Sequence, residues 1–95
     1  MKTMATARVQ LIHRDGLHAR PSVKLTKTAK LYRARIEFAV SEAGPWIDAK
    51  SILKVLAAKA PCDAVLYFRA HGEDADTALS AMVRLVETDF AEAAE

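Results

Sequence analysis

The stretch HRDGLHARPSVKL, His13 to Leu25, crowds a histidine, an arginine and a proline around what reads as the mouth of a helix. Gly16 allows a tight turn, Leu17 can anchor that turn in the core, and His18 then falls at the helix cap. Pro21 suits the first helical turn, because its missing N–H would have had no helical acceptor and its fixed φ favours initiation. The unpaired backbone N–H groups of Ala19 and Arg20, at the positive end of the helix dipole, suit an anion such as a phosphoryl group. Arg20 adds a permanent charge and a fork of donors for phosphoryl oxygens. An exposed imidazole beside such a site can act as a nucleophile. It can take a phosphoryl group, which the same donors stabilise until a second protein collects it. A His-x-Arg pair taken alone is more often a polar helix cap with its arginine in solvent. His13 and His71 lie in polar turns without the glycine, arginine and helix, and read as structural.

The elements that must position His18 are legible in the periodicity. Ala7–Ile12 alternates Val9 and Leu11 against Arg8 and Gln10, a first strand. Residues 19–31 space Ser22, Leu25 and Ala29 along one helical face and Arg20, Lys24 and Lys27 along another, an amphipathic helix with a basic side. Ala34–Val40 alternates Ile36, Phe38 and Val40 against Arg35, Glu37 and Ala39, and SEAGP turns it back into WIDA as a hairpin. A short helix from Asp48 runs to the break at Pro61, where periodicity alone would bury Ile52, Leu53 and Leu56, and AVLYFRA is a fourth strand. The last helix begins at HGEDAD, where acidic residues suit an amino terminus, and carries Ala75, Ala78, Leu79, Met82 and Val86 along one stripe. It should be the longest. Residues 1–5 and 91–95 are expected to be loose ends of a single domain spanning 1–95.

The 95 residues leave room for one core, and with aromatics at only 6% that core must be built mainly from Leu, Val and Ile in two layers. Up to Lys59 there are twelve Lys and Arg against four acids, and afterwards two against eight, so a partner-facing surface is basic and early in the chain. Those cations lack interleaved aromatics and a recognised nucleic-acid motif, so an acidic protein partner is preferred to nucleic acid. The single cysteine, Cys62, has no partner at disulfide or metal-ligand spacing and is assigned no role. The amino terminus MKTMATARVQ has no apolar run for a signal peptide or membrane span, which suggests a cytoplasmic protein.

As a block, GLHARPSVKLTKTAK resembles the active-site segment of HPr, the histidine-containing phosphocarrier family of the bacterial phosphoenolpyruvate-dependent sugar phosphotransferase system. DAKSILKVL is similar to that family's second helix and HGEDADTALSAMVRLVE to its last. The resemblance implies an α/β (α+β) open-faced sandwich of order βαββαβα, with an antiparallel sheet in the order 1-4-2-3 and three helices on one face. It implies that His18 receives phosphate on Nδ1 from enzyme I and passes it to enzyme IIA domains, as a stoichiometric carrier rather than an enzyme, without metal or organic cofactor and as a monomer. It further implies that Ser51 matches the serine modified by HPr kinase/phosphorylase. Ile52, Leu53 and Leu56 match an exposed apolar patch that docks partners beside Arg20, Lys24 and Lys27, which leaves Val55 to the core. Three departures stand out: a hairpin VSEAGPWID about two residues longer than usual, Asp15 where asparagine is common, and AAKAPCD in place of a glycine-rich turn. Asp63 is expected to take the left-handed conformation such a glycine would.

Two rival readings remain at this level. One is a regulatory HPr relative of the nitrogen-type phosphotransferase branch. The other is a ferredoxin-like module for a small ligand or metal, because βαββαβ order is widely shared. The second leaves GLHARP without a purpose and lacks a Cys or His pair.

Overall fold

Alternation of apolar and polar residues produces one covered and one open sheet face. The computed structural model describes residues 4–91 and follows the order β1 (Met4–Gln10), α1 (Ala19–Ala29), β2 (Arg35–Ala39), β3 (Ile47–Asp48), α2 (Ile52–Ala58), β4 (Val65–His71) and α3 (Ala75–Glu87). The four strands form one antiparallel sheet in the order β1-β4-β2-β3. Register pairs Val9 with Leu66 and Ala7 with Phe68, and sets Ile36 and Phe38 opposite Ala70 and Phe68. These side chains point at the helices, and the Phe38 and Phe68 rings lie 6.0 Å apart at 40°. Leu25 from α1, Val55 from α2, and Met82, Leu85 and Val86 from α3 close the same core, all essentially without solvent contact. Burying each large side chain of this kind contributes about 1.5–3 kcal/mol.

Tertiary pairing moved several boundaries. Met4 and Ala5, expected in a loose end, pair with His71 and Ala70, so the first strand starts earlier than its alternation suggested. It also ends earlier, at Gln10, although Leu11 stays tied to the β4 side through its N–H to the Ala64 carbonyl (2.8 Å) and its carbonyl to the Asp63 N–H (2.8 Å). Val40 was expected in the core with Ile36 and Phe38. Instead β2 ends at Ala39, Val40 is exposed, and Ala39 is the buried residue, paired with Tyr67. The first helix stops at Ala29, so Leu31 lies outside it and exposed. The hairpin's return strand is only Ile47–Asp48, and Trp46 lies instead against the Arg69 guanidinium, 4.1 Å from the ring centroid. Arg69 also reaches the Glu37 carboxylate at 2.8 Å. The second helix starts at Ile52 rather than near Asp48, because the Asp48 carboxylate takes the Lys50 N–H (2.9 Å) and turns the chain first. Asp63 adopts φ 73°, the left-handed conformation expected of it. Apart from Ala91, whose N–H donates to Thr88, the 91–95 end lies outside the described residues, as do residues 1–3.

Asp74 joins the start of α3 to the turn after α1. It occupies the amino cap of α3, yet its carboxylate makes no cap bond and accepts instead from the N–H groups of Arg33 (2.9 Å) and Ala34 (2.8 Å). The Arg33 bond, aided by Ala34 and opposed by burial, holds its carboxyl below the usual carboxylate range. A lowered folded-state pKa stabilises the fold above the unfolded value and stops doing so as pH falls through the folded value. Asp74→Asn should therefore melt below the wild type at neutral pH, with the difference shrinking in acid as the wild type loses its advantage. Parallel melting curves across pH decide this, and a constant difference through the acid limb would refute the role.

Candidate functional site

The turn before α1 is pinned to the turn after α2. Gly16 sits at φ +71°, where its N–H donates to the His13 carbonyl (2.8 Å). A β-carbon there would run into the Ala60 carbonyl oxygen and approach Pro61 Cα to 3.0 Å, so the position needs glycine for space as well as conformation. Leu17 donates its N–H to the same Ala60 carbonyl (2.7 Å) and buries its side chain.

His18 follows in extended conformation as the amino cap of α1, and its carbonyl accepts the Ser22 N–H (2.9 Å), the first bond of the helix. Its own N–H is spent on the Gly16 carbonyl (2.9 Å). The imidazole makes no cap hydrogen bond and is exposed, so His18 caps by backbone alone and its ring remains available. Ala19 and Arg20 expose N–H groups that find no backbone acceptor among the described residues, while Pro21 packs inward. The Arg20 side chain is exposed and forms no ion pair among the described residues.

Ser22 has a part that periodicity alone did not reveal. It is fully buried and its hydroxyl donates to the Leu17 carbonyl (3.0 Å), tying the helix to the turn directly beneath His18. The available signal was a serine on an otherwise apolar stripe. Thr26 and Thr28 are also buried, which the sequence reading did not anticipate, and their hydroxyls have no partner among the described residues.

A hollow of ≈ 410 Å³ opens beside the ring, with Asp15, Leu17, His18 and Ala19 on one wall and Leu56 and Lys59 on the other. Two hollows of similar size, one between β1 and α3 and one on the open sheet face at Trp46, do not include His18. Ser51 is the amino cap of α2, accepting the Lys54 N–H at 3.4 Å. Beyond it Leu53 is 78% exposed, Ile52 and Leu56 are partly exposed, and Val55 is buried, the division expected for this helix. On α1, Lys27 is exposed, but Lys24 is partly buried and reaches the Phe90 carbonyl (3.4 Å), so the basic face is not wholly free.

The remaining candidates have structural surroundings. His13 Nδ1 lies 3.0 Å from the Asp89 carboxylate and its ring meets the buried Phe90 edge-on. This clasp, invisible in the sequence pattern, fastens the end of α3 to the turn before His18. His71 ends β4, paired with Met4 and Arg35. Cys62 is half-buried, and burial first and the neighbouring Asp63 carboxylate second push its thiol pKa up. No group of three or more His, Cys, Asp or Glu that could hold a metal occurs among the described residues, and none of their helices is long and apolar enough to cross a membrane.

Comparison with known proteins agrees with this arrangement. Residues 5–88 match the family model described as the PTS HPr component phosphorylation site. The phosphocarrier protein HPr of Treponema pallidum is 33% identical over 89 residues, 94% of this chain and 99% of the relative. A multiphosphoryl transfer protein of Vibrio cholerae is 38% identical over 79 residues, 82% of this chain and 19% of that longer protein. The crystal structure of HPr-C-His from Thermoanaerobacter tengcongensis superposes with a TM-score of 0.84 at 27% identity, covering 95% of this chain and 99% of that one. With the family model spanning nearly the whole described chain and the sheet order and helix placement in agreement, this chain belongs to the HPr family of phosphotransferase-system phosphocarriers.

Proposed function

We propose that His18 is the phosphoryl acceptor, charged by phospho-enzyme I and discharged to enzyme IIA domains, in the cytoplasm and without a metal or organic cofactor. One observation carries this reading: an exposed imidazole with no hydrogen-bond partner among the described residues stands at the amino cap of α1, beside the N–H groups of Ala19 and Arg20, which find no backbone acceptor there. With the ring proton on Nε2, the Nδ1 lone pair attacks phosphorus. A P–N bond forms as the bond from phosphorus to the donor's leaving atom breaks, and its electron pair returns to the donor. The two amides, the helix terminus and Arg20 then meet the dianion with donors already oriented. Delivery reverses the step, with the acceptor's nucleophile displacing Nδ1. Positioning and charge stabilisation dominate this chemistry, so a small chain suffices when its partners supply the rest of the site. Transfer at an exposed ring needs no second copy, which favours action as a monomer. Wild-type protein incubated with enzyme I and phosphoenolpyruvate should gain one acid-labile, base-stable phosphoryl group. An acid-stable label would overturn the reading.

Leu53, Ile52 and Leu56 supply an apolar docking surface next to the ring, with Arg20, Lys27 and Lys24 as its basic margin. Ser51 lies at the edge of that surface and is a candidate for an HPr kinase/phosphorylase. Phosphorylation there would add about −1.5 to −2 charges at a helix amino terminus, where the fold tolerates them while partner docking does not. Ser51→Asp preserves a capping oxygen, so its melting temperature should stay within about 2 °C of wild type. Transfer from enzyme I should slow about threefold to tenfold, the scale of one or two exposed charge contacts. Unchanged kinetics would leave Ser51 a helix cap only.

A further inference from the structure

Lys59 ends α2 in the left-handed conformation, φ 49° and ψ 42°, with its N–H on the Leu56 carbonyl (3.3 Å). Side chains with a β-carbon are disfavoured there, and glycine is the usual occupant of such a helix end. The backbone would be served at least as well by glycine, so what lysine contributes is its side chain. Lys59 lines the hollow that also contains His18 and Ala19. Lys59 is exposed, and its ammonium forms no ion pair among the described residues. Asp15 lines the same hollow without pairing to it. A phosphoryl dianion on His18 would thus face a carboxylate on its own wall of the hollow, a repulsion that Arg20 and the two amides must overcome unaided unless a second cation stands nearby. Lysine suits that place, being a compact charge on a four-carbon stem that can swing toward the group as it arrives.

We propose that Lys59 contacts the phosphoryl group carried by His18, acting from the α2 wall of the hollow as Arg20 acts from the helix mouth. The inference rests on His18 being the acceptor. Lys59 favours the dianionic phosphoryl form, offsets Asp15, and lengthens the life of the charged carrier between its two partners.

The test uses the full chain, enzyme I and phosphoenolpyruvate, with wild type, Lys59→Gln, Lys59→Arg and Lys59→Gly compared. Two quantities are read: the rate of phosphoryl transfer at limiting enzyme I, and the pH midpoint of phosphoryl ionisation followed by phosphorus NMR on the charged protein. Lys59→Gln should transfer about threefold to tenfold more slowly, with a weaker salt dependence and a midpoint moved to higher pH. Lys59→Arg should restore both. Lys59→Gly should be as slow as Lys59→Gln while melting no lower than wild type, because glycine accepts the backbone conformation, and that combination separates a charge role from a structural one. Equal rates and midpoints for wild type and Lys59→Gln, or a Lys59→Arg that fails as Lys59→Gln does, would overturn the proposal. A wild type that takes no acid-labile label would instead overturn the acceptor reading on which it rests.

Discussion

His18→Ala protein, incubated with enzyme I and phosphoenolpyruvate, should carry no acid-labile phosphoryl group and should fold as the wild type does. Both halves follow from the geometry. The imidazole makes no cap hydrogen bond, so the usual cost of replacing a capping side chain by alanine, about 1 kcal/mol, does not arise. The bonds that hold the turn run through backbone and Ser22: Leu17 N–H to Ala60, His18 carbonyl to Ser22 N–H, and Ser22 hydroxyl to Leu17. The proposed nucleophile has no understudy. His13 is engaged by Asp89 and Phe90, and His71 lies at the end of β4 away from the unbonded amides. Residual labelling with wild-type lability in His18→Ala would move the acceptor elsewhere, and a lost fold would show that the ring is structural.

Arg20→Ala should fold normally and transfer the phosphoryl group about tenfold to a hundredfold more slowly at limiting enzyme I. The side chain is exposed and without an ion pair among the described residues, so its removal costs little stability. On the proposed mechanism it stands beside the travelling charge, where a forked, permanently charged donor acts most strongly. Arg20→Lys should recover only part of the rate, because an ammonium keeps the charge and loses the fork. Rates equal to wild type in Arg20→Ala would remove the guanidinium from the mechanism. Measured together with Lys59→Gln, the pair also shows whether the two cations act on the same group, since their effects should then combine non-additively.

Much of this was legible in the residues because local chemistry is written locally. A glycine, a capping position, a proline in the first turn and an arginine within one helical turn declare a helix mouth suited to an anion without reference to the rest of the chain. The stripes of α1 and α3 were equally readable: Ser22, Leu25 and Ala29, and Ala75, Ala78, Leu79, Met82 and Val86, are all buried as their spacing required. The division of α2 into a buried Val55 and an exposed Leu53 was not readable from periodicity, which would have buried the neighbouring leucines. It came from resemblance to a family whose partners cover that patch, because a docking surface and a core present the same apolar chemistry to a sequence.

Strand ends resisted the same reasoning, since a strand extends as far as a partner offers hydrogen bonds. Met4 and Ala5 are ordered by His71 and Ala70, whereas Val40, apolar and in phase, is left in solvent because β2 ends at Ala39.

The sequence by itself thus singled out the proposed nucleophile and its candidate anion site, and determined the amphipathic faces of the first and last helices and, through its likeness to a family, the sheet order. All of these depend on residue types within a few positions of one another or on a whole pattern shared with relatives. Only the tertiary structure decided that Gly16 abuts Ala60, that Asp74 holds Arg33 and Ala34, that His13 clasps Asp89 and Phe90, and that Lys59 lines the hollow at His18. Each of those contacts joins residues some forty or more positions apart, and no local propensity carries information about which distant group the folded chain will bring alongside.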